Sequence, residues 1–557
     1  MALFVRSTLN RIEQRRKMKA QPGLTQVEKD KLEIDPDFDF REVAQRPFDE
    51  ISPHELAMFK WSGVYHQLQP EFFMIRVVTP GGVLTTGQFN RAIALAEEYA
   101  QGELCITTRQ TLQFHWVRLH DIHKVIEGMQ EVGITTKNGC GDVTRNTVTC
   151  EMQGVCPHEV GDDVRRLIEA VANDPEIRDQ QRNLPRKHKI SVAGCGKACA
   201  LTLINCQGWV PATREAADGT TEIGWRFHVG GGLGARPYLA KVIFDWVPGD
   251  LALDVARATV EAFRRHGDRR NRGLARLKIV VDRMGPAAFG EVLLDILKER
   301  DIEGAGRIEP AANPTPCIGA SFLSGQGTLP QKQEGLNTVR ILIPRSELRT
   351  EIGREIARLS DHFGTGEIAF TSRQNVAIRH VPDANVAPLT DALHKAGLRT
   401  EGFERGPDIV ACVGTTQCKM AVSDTRQSCL ELMELLQSDG AYWNKIGPLR
   451  IHFTGCPNNC AHAWSADIGL RGRRRRGEEG NVEGYSVFIG GKLSEAGSIA
   501  EHLVDVDRDA VSTTVRDILD LYLSSRQNDE ELFIQFVERV RADNIRATLF
   551  GSEVTDA

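Results

Sequence analysis

No apolar run in the 557 residues approaches the ~20 needed to span a bilayer, so a membrane partner is not expected. The first residues, MALFVRSTLNRIEQRRKMKA, meet charges after a very short apolar start and make a poor signal peptide. There is no basic excess either. The formal net charge is −6, which argues against a general nucleic-acid binder. A dinucleotide fingerprint is also missing: VGGGLGARP from Val229 comes nearest, but Ala235 takes the place of the last glycine of G-x-G-x-x-G. The 13 cysteines are an odd number, several in metal-like spacings, so they read as a reducing cytoplasm rather than a disulfide framework. What remains is the expectation of a cytoplasmic metalloprotein.

An apolar fraction of 41% and a charged fraction of 26% are ordinary for a globular protein, and this length suggests two to four domains. Residues 1 to about 50 are polar and charged and read as an extended or partly helical arm with little core of its own. From Trp61 onward, strand-like runs (EFFMIRVV, ELCITTRQTLQFHWV) alternate with helical ones (FNRAIALAEEYAQG, HDIHKVIEGMQEVG), which points to α/β or α+β layers.

The same order then returns. RVVTPGG at Arg76 is matched by RILIPRS at Arg340, and TTRQTLQFHWV at Arg109 by TSRQNVAIRHV at Arg373. Cys150 and Cys156 match Cys412 and Cys418, Cys195 and Cys199 match Cys456 and Cys460, and FHVGGGL matches VFIGGKL. The offset drifts only from 264 (Arg76 to Arg340) to 260 (Phe227 to Val487), so the matches are colinear. They describe a module present twice, near 70–290 and 335–545, in a pseudo-twofold body. The Pro-, Gly- and Ser-rich stretch EPAANPTPCIGASFLSGQGTLPQKQEG reads as a crossover linker. RGRRRRGEEG at Arg471 reads as a solvated hairpin tip or a docking patch for an acidic electron carrier.

Three constellations carry chemistry. Cys412, Cys418, Cys456 and Cys460 form C-x5-C and C-x3-C pairs in loops of small residues. Such loops suit a [4Fe–4S] cluster, a structural zinc or buried free thiols. Arg76, Arg145, Lys187 and Lys189 lie in or beside strand-like segments of the first copy. Lys187 and Lys189, two apart, would share a strand face and repel unless an anion or water lies between them. The second copy has Pro407, Pro448 and Arg450 where the first has Arg145, Lys187 and Lys189, so its charge cluster has been lost while the frame is kept. Finally, alternation would place Arg109, Gln113 and His115 on one strand face, where they could hold carboxylates of a large cofactor.

Together the C-x5-C and C-x3-C pairs, RNTV, LPRKHK, TTRQTLQFH and the duplicated frame resemble the sulfite and nitrite reductase hemoproteins, over about residues 55–550. The resemblance implies an internally duplicated α+β and α/β fold, with a central ferredoxin-like (parachute) domain and two α/β cofactor domains. The boundaries implied are an arm at 1–72, the central domain at 73–137 plus 338–402, the first α/β domain with the linker at 138–337, and the second at 403–557.

It implies sirohaem and a [4Fe–4S] cluster, ligated by Cys412, Cys418, Cys456 and Cys460, with Cys460 bridging to the haem iron. Arg76, Arg145, Lys187 and Lys189 would bind substrate, and Arg109, Gln113, His115, Arg186 and Lys278 the macrocycle carboxylates. In this family the second basic residue of K-x-K tends to be lysine in sulfite reductases and asparagine in plant-type nitrite reductases. Lys189 therefore implies six-electron reduction of sulfite to sulfide, with nitrite reduction to ammonia as the alternative. From another class, a four-thiolate zinc scaffold remains. No flavin or nicotinamide domain is recognisable, so ferredoxin or a flavoprotein subunit would supply electrons.

Two features depart from the usual pattern. Cys150, Cys156, Cys195 and Cys199 complete a second cysteine set, either a second cluster or free thiols left from duplication. Tyr65 and Cys140 match a pair that is covalently linked beside the sirohaem in some members.

Overall fold

The computed structural model describes residues 23–33, 38–161, 163–180, 183–216, 218–437, 442–477 and 480–551. Two five-stranded sheets make the centre. One runs Val64–His66, Phe72–Arg76, Leu112–Arg118, Glu103–Ile106 and Glu347–Arg349; the other runs Thr328–Pro330, Leu336–Ile341, Val376–Pro382, Glu367–Phe370 and Val83–Thr85. Each sheet is therefore closed by a strand from the other copy. Leu348 pairs with Leu104, and Leu84 with Ile368, both antiparallel. Exchange covers a backbone edge that would otherwise be open in each sheet.

Helices Thr86–Tyr99 and Thr350–Phe363 follow the exchanged strands and pack together, with Gly353 seated against Ile93. The first is started by a capping box between Thr85 and Gln88. One continuous core results, with Phe73, Phe89, Phe114, Ile356, Phe370 and Ile378 fully buried. The expected arm is more integrated than its polarity suggests. Phe40, Val43, Ile51 and Phe59 enter that same core, while residues 1–22 and 34–37 lie outside the described residues.

The two outer sheets repeat one another. The first orders Glu309–Pro310, Lys241–Pro248, Thr221–Val229, Gln207–Glu215 and Ile190–Val192; the second orders Val410–Ala411, Ile451–Thr454, Ile468–Gly477, Gly480–Ile489 and Glu501–Asp507. Each has its own core, built around Trp209, Phe227 and Phe244 in one and Phe453, Tyr485 and Tyr522 in the other. Even strained backbone repeats: Gln110 and Gln374, Trp116 and His380, and Leu201 and His462 all have positive φ. The fold is the internally duplicated α/β and ferredoxin-like architecture that the sequence implies. Among the described residues no helix is long and apolar enough to cross a membrane.

The basic hairpin is partly neutralised by its own sheet. Arg473 and Arg475 reach across strand Gly480–Ile489 to pair with Asp505 and Asp507 on the strand beyond it, and Arg471 lies over Trp464 and Phe488.

Candidate active site

Four cations converge because residues 143–148 run parallel beside 188–192. Arg145 N–H donates to the His188 carbonyl at 3.0 Å, and Val148 N–H to that of Ile190 at 3.1 Å. His188 turns into the core, where its Nδ1 lies 3.1 Å from Thr144 Oγ1 and burial pushes its pKa down to about 3. Alternation then sets Lys187 and Lys189 on the opposite face. Arg145 anchors on the Gly141 carbonyl (3.0 and 2.7 Å) and the Gly139 carbonyl (3.2 Å). Arg76 shares the Gly139 carbonyl at 3.3 Å and reaches Cys140 Sγ at 3.4 Å. Only glycine fits at 139, because a Cβ there would lie 2.6 Å from the Arg76 carbonyl oxygen.

Neither lysine ammonium has an ion-pair or hydrogen-bond partner among the described residues. Burial, then Arg186 and Arg276, push the pKa of Lys187 down to about 7. Burial, then Arg109 and Lys187, hold that of Lys189 well below the usual lysine range. The group from the second copy that favours their charged form is the Cys460 thiol, which acts on Arg76 as well. The cations of one copy thus face the last cysteine of the other.

Cys412, Cys418, Cys456 and Cys460 lie on loops that follow strands Val410–Ala411 and Ile451–Thr454. Gly455 N–H donates to Cys412 Sγ at 3.2 Å, Met420 and Ala421 N–H groups to Cys418, and Asn458 N–H to Cys456. Burial first, then the neighbouring thiols, push Cys456 up to about 12. Four thiols around one space, each loop aiming backbone donors at sulfur, fit a thiolate-bound iron–sulfur cluster. Among the described residues no three His, Cys, Asp or Glu side chains close on a single metal ion. Cys460 is exposed. The loops are stitched to the first copy: Thr108 Oγ1 donates to the Cys460 carbonyl (2.8 Å), Leu68 N–H to that of Gln417 (3.0 Å) and Gln69 Nε2 to that of Thr416 (2.8 Å).

The expected carboxylate-binding face is only partly a strand face. Gln113 and His115 do alternate on strand Leu112–Arg118, but Arg109 sits in the preceding turn, where Gln110 has φ +56°. That turn, closed by Thr107 and Thr111, aims Arg109 at Asn205 Oδ1 (2.9 Å) and the Asn146 carbonyl. Gln113 accepts from Arg76 Nε at 3.1 Å in the amide orientation that satisfies both groups. Both ring nitrogens of His115 and the Nε atoms of Arg109 and Arg276 are buried without hydrogen-bond partners, which fits a polar cofactor placed against them.

Arg186 is committed to Asp142 at 3.2 Å, within a network that includes Lys31 and Arg272. Lys278 donates to the carbonyls of Gly232 (3.1 Å), Leu233 (3.0 Å) and Arg236, so the glycine loop is held by a lysine. Arg276 escaped the sequence reading, although it lies two residues before Lys278 and depresses Lys187, Lys189 and Lys278 alike. Tyr65 and Cys140 are brought together, and the phenol is pushed up by burial and then by the thiol.

Comparison of the copies explains the unpaired charge. Arg373 is clamped by Asp408 Oδ2 at 2.5 Å; at the matching place Arg109 meets Asn146. Arg450 is clamped by Asp467 at 2.9 Å; the first copy has Lys189 in place of Arg450 and Cys206 in place of Asp467, with Arg276 Nη2 3.8 Å from the Cys206 sulfur. Two acids of the second copy are neutral residues in the first.

A family model described as the nitrite and sulphite reductase 4Fe-4S domain matches residues 140–300 and 407–555, and one described as the nitrite/sulfite reductase ferredoxin-like half domain matches 65–132 and 329–396. The assimilatory ferredoxin-dependent nitrite reductase of Haloferax mediterranei is 30% identical, over 90% of this chain and 89% of its own. The ferredoxin sulfite reductase of Mycobacterium tuberculosis is 28% identical, over 90% and 92%. The solved structure of the Mycobacterium tuberculosis NirA protein superposes with a TM-score of 0.83 and 27% identity, covering 94% of this chain and 98% of that one.

Proposed function

We propose that this chain, which belongs to the nitrite and sulphite reductase family, reduces sulfite to sulfide with electrons from ferredoxin. The family's cofactors are sirohaem and a [4Fe–4S] cluster, and membership sets aside the zinc scaffold. When bound, those groups would pass the carrier's electrons to the substrate, six in all because sulfur goes from +4 to −2.

The observation that carries the reading is the pair Lys187 and Lys189, without counter-ions and facing Cys460 beside Arg76 and Arg145. Sulfite bears up to two charges over three oxygens, so four cations and no acid suit it better than they suit the smaller monoanion nitrite. Arg76 and Arg145, fixed on the Gly139 carbonyl, hold oxygens with their planar forks. Lys187, with its pKa near 7, can pass a proton to an oxygen that leaves as water. Cys412, Cys418, Cys456 and Cys460 would ligate the cluster, with Cys460 toward the haem. His115, Gln113, Arg109, Arg186, Lys278 and Arg276 would surround the macrocycle's carboxylates, the last three once released from or shared with their present partners.

Nitrite is the second reading, favoured by the nitrite reductases of Haloferax mediterranei, Zea mays and Synechococcus elongatus among the relatives. Turnover of both anions by purified holoenzyme with reduced ferredoxin decides. A higher kcat/KM for sulfite supports the proposal, and a higher value for nitrite overturns it.

A further inference from the structure

The first copy's cysteines are as well gathered as those of the second. Cys150, Cys156 and Cys199 share one buried cluster, with Cys150 beside Cys199 and Cys156 beside Cys195. Backbone donors address them in the same manner: Met152 N–H to Cys150 Sγ at 3.5 Å, His158 N–H to Cys156 Sγ at 3.4 Å, and Lys197 N–H to Cys195. The second copy shows the same two-residue step in Met420 to Cys418 and Asn458 to Cys456. Both copies thus keep the same N–H···S frame around their cysteines.

What differs is the space in front. Cys460 is exposed toward the cations, but Cys199 is buried, with Ser321 Oγ 3.4 Å from its sulfur. The crossover linker closes over this loop: Ala198 N–H donates to Gly319 O (2.9 Å) and Gly319 N–H to Gly196 O (2.7 Å). Arg340, the mate of Arg76, gives its donors to the linker carbonyls of Leu323 (2.7 Å) and Gln326 (2.9 Å). The place equivalent to the active site is therefore filled by protein. Two arginines border the cysteine loop, each paired with an acid: Arg379 donates to Gln153 O at 2.6 Å and pairs with Glu367 at 2.9 Å, and Arg340 pairs with Glu151 at 3.2 Å.

We propose that Cys150, Cys156, Cys195 and Cys199 hold a second [4Fe–4S] cluster, ligated by cysteine alone and shielded by the crossover linker. It neighbours no haem and has no open ligand position, so its role is electron storage or relay rather than substrate binding.

The test is acid-labile sulfide, which sirohaem does not contribute. Two clusters give about eight sulfides per chain and one gives about four. Purified holoprotein should approach the higher value. Cys156→Ser/Cys195→Ser should bring it to about four with the sirohaem bands intact, and Cys412→Ser/Cys418→Ser should retain about four although the haem-linked centre is lost. A wild-type count of about four, or zinc in place of iron at the first set, overturns the proposal whether or not either variant folds. The Cys412→Ser/Cys418→Ser protein separates this outcome from any error in the assignment of the main cluster.

Discussion

Arg450 is clamped by Asp467 at 2.9 Å, whereas Lys189, at the same place in the first copy, has no acid, because Cys206 stands where the second copy has Asp467. The backbone around the two is the same: Gln207 N–H donates to the Lys189 carbonyl at 3.0 Å, and Ile468 N–H to that of Arg450 at 3.1 Å. Two side-chain differences on a shared frame, arginine to lysine and aspartate to cysteine, thus separate a structural ion pair from a cation without a counter-ion.

Restoring the acid should therefore close the site. Cys206→Asp, and separately Asn146→Asp beside Arg109, should raise KM for sulfite by roughly tenfold to a hundredfold, since each gives a buried cation an internal charged partner. Sirohaem absorbance should be unchanged. Wild-type KM in both variants would show that the missing acids are irrelevant to anion binding.

Removing a cation should act on turnover more than on assembly. Lys187→Met or Lys189→Met should lower kcat/KM for sulfite by roughly a hundredfold or more, the usual effect of losing one preorganised donor to a reacting oxyanion. Iron and sirohaem content should stay near wild type. Full activity in both would remove these lysines from the anion site.

The pH profile follows from Lys187. Its folded pKa of about 7 means that it is charged below that pH and neutral above it. Nitrite keeps one charge throughout the neutral range, so it isolates the protein's titration. Its kcat/KM should fall by up to about tenfold per pH unit above neutrality as the ammonium is lost. Lys187→Arg, which stays charged, should flatten that limb. A limb that persists in the arginine variant would assign the titration elsewhere.

Tyr65 and Cys140 are predicted to form a thioether-type link in active protein, through a two-electron oxidation with dioxygen as the acceptor, because the buried thiol beside Arg76 lies close to the phenol. Peptide mapping should then recover the two peptides joined, lighter than their sum by two hydrogens. Separate peptides from fully active enzyme would exclude the link.

Much of this was legible in the sequence. Colinear pairs such as Arg109 with Arg373 and Cys195 with Cys456 exposed the duplication, because each copy must rebuild the same strands and turns around its own core. The K-x-K segment announced two cations on one face, since extended backbone alternates its side chains. Arg109 was misplaced on a strand because alternation cannot register a turn in which Gln110 takes positive φ. The polar arm hid Phe40 and Phe59, whose burial depends on a core made by both copies.

The sequence alone determined the modules, the two cysteine sets and the loss of cations from the second copy, because these are patterns of residue type at fixed spacing. Only the tertiary structure decided which charges are free. Asp467 finds Arg450 across a strand pair, Asp142 finds Arg186 across a loop, and Cys460 faces Lys187 from the other copy. Such pairings arise from exchanged strands and packed sheets between residues far apart in the chain, and local sequence carries no record of which acid reaches which base.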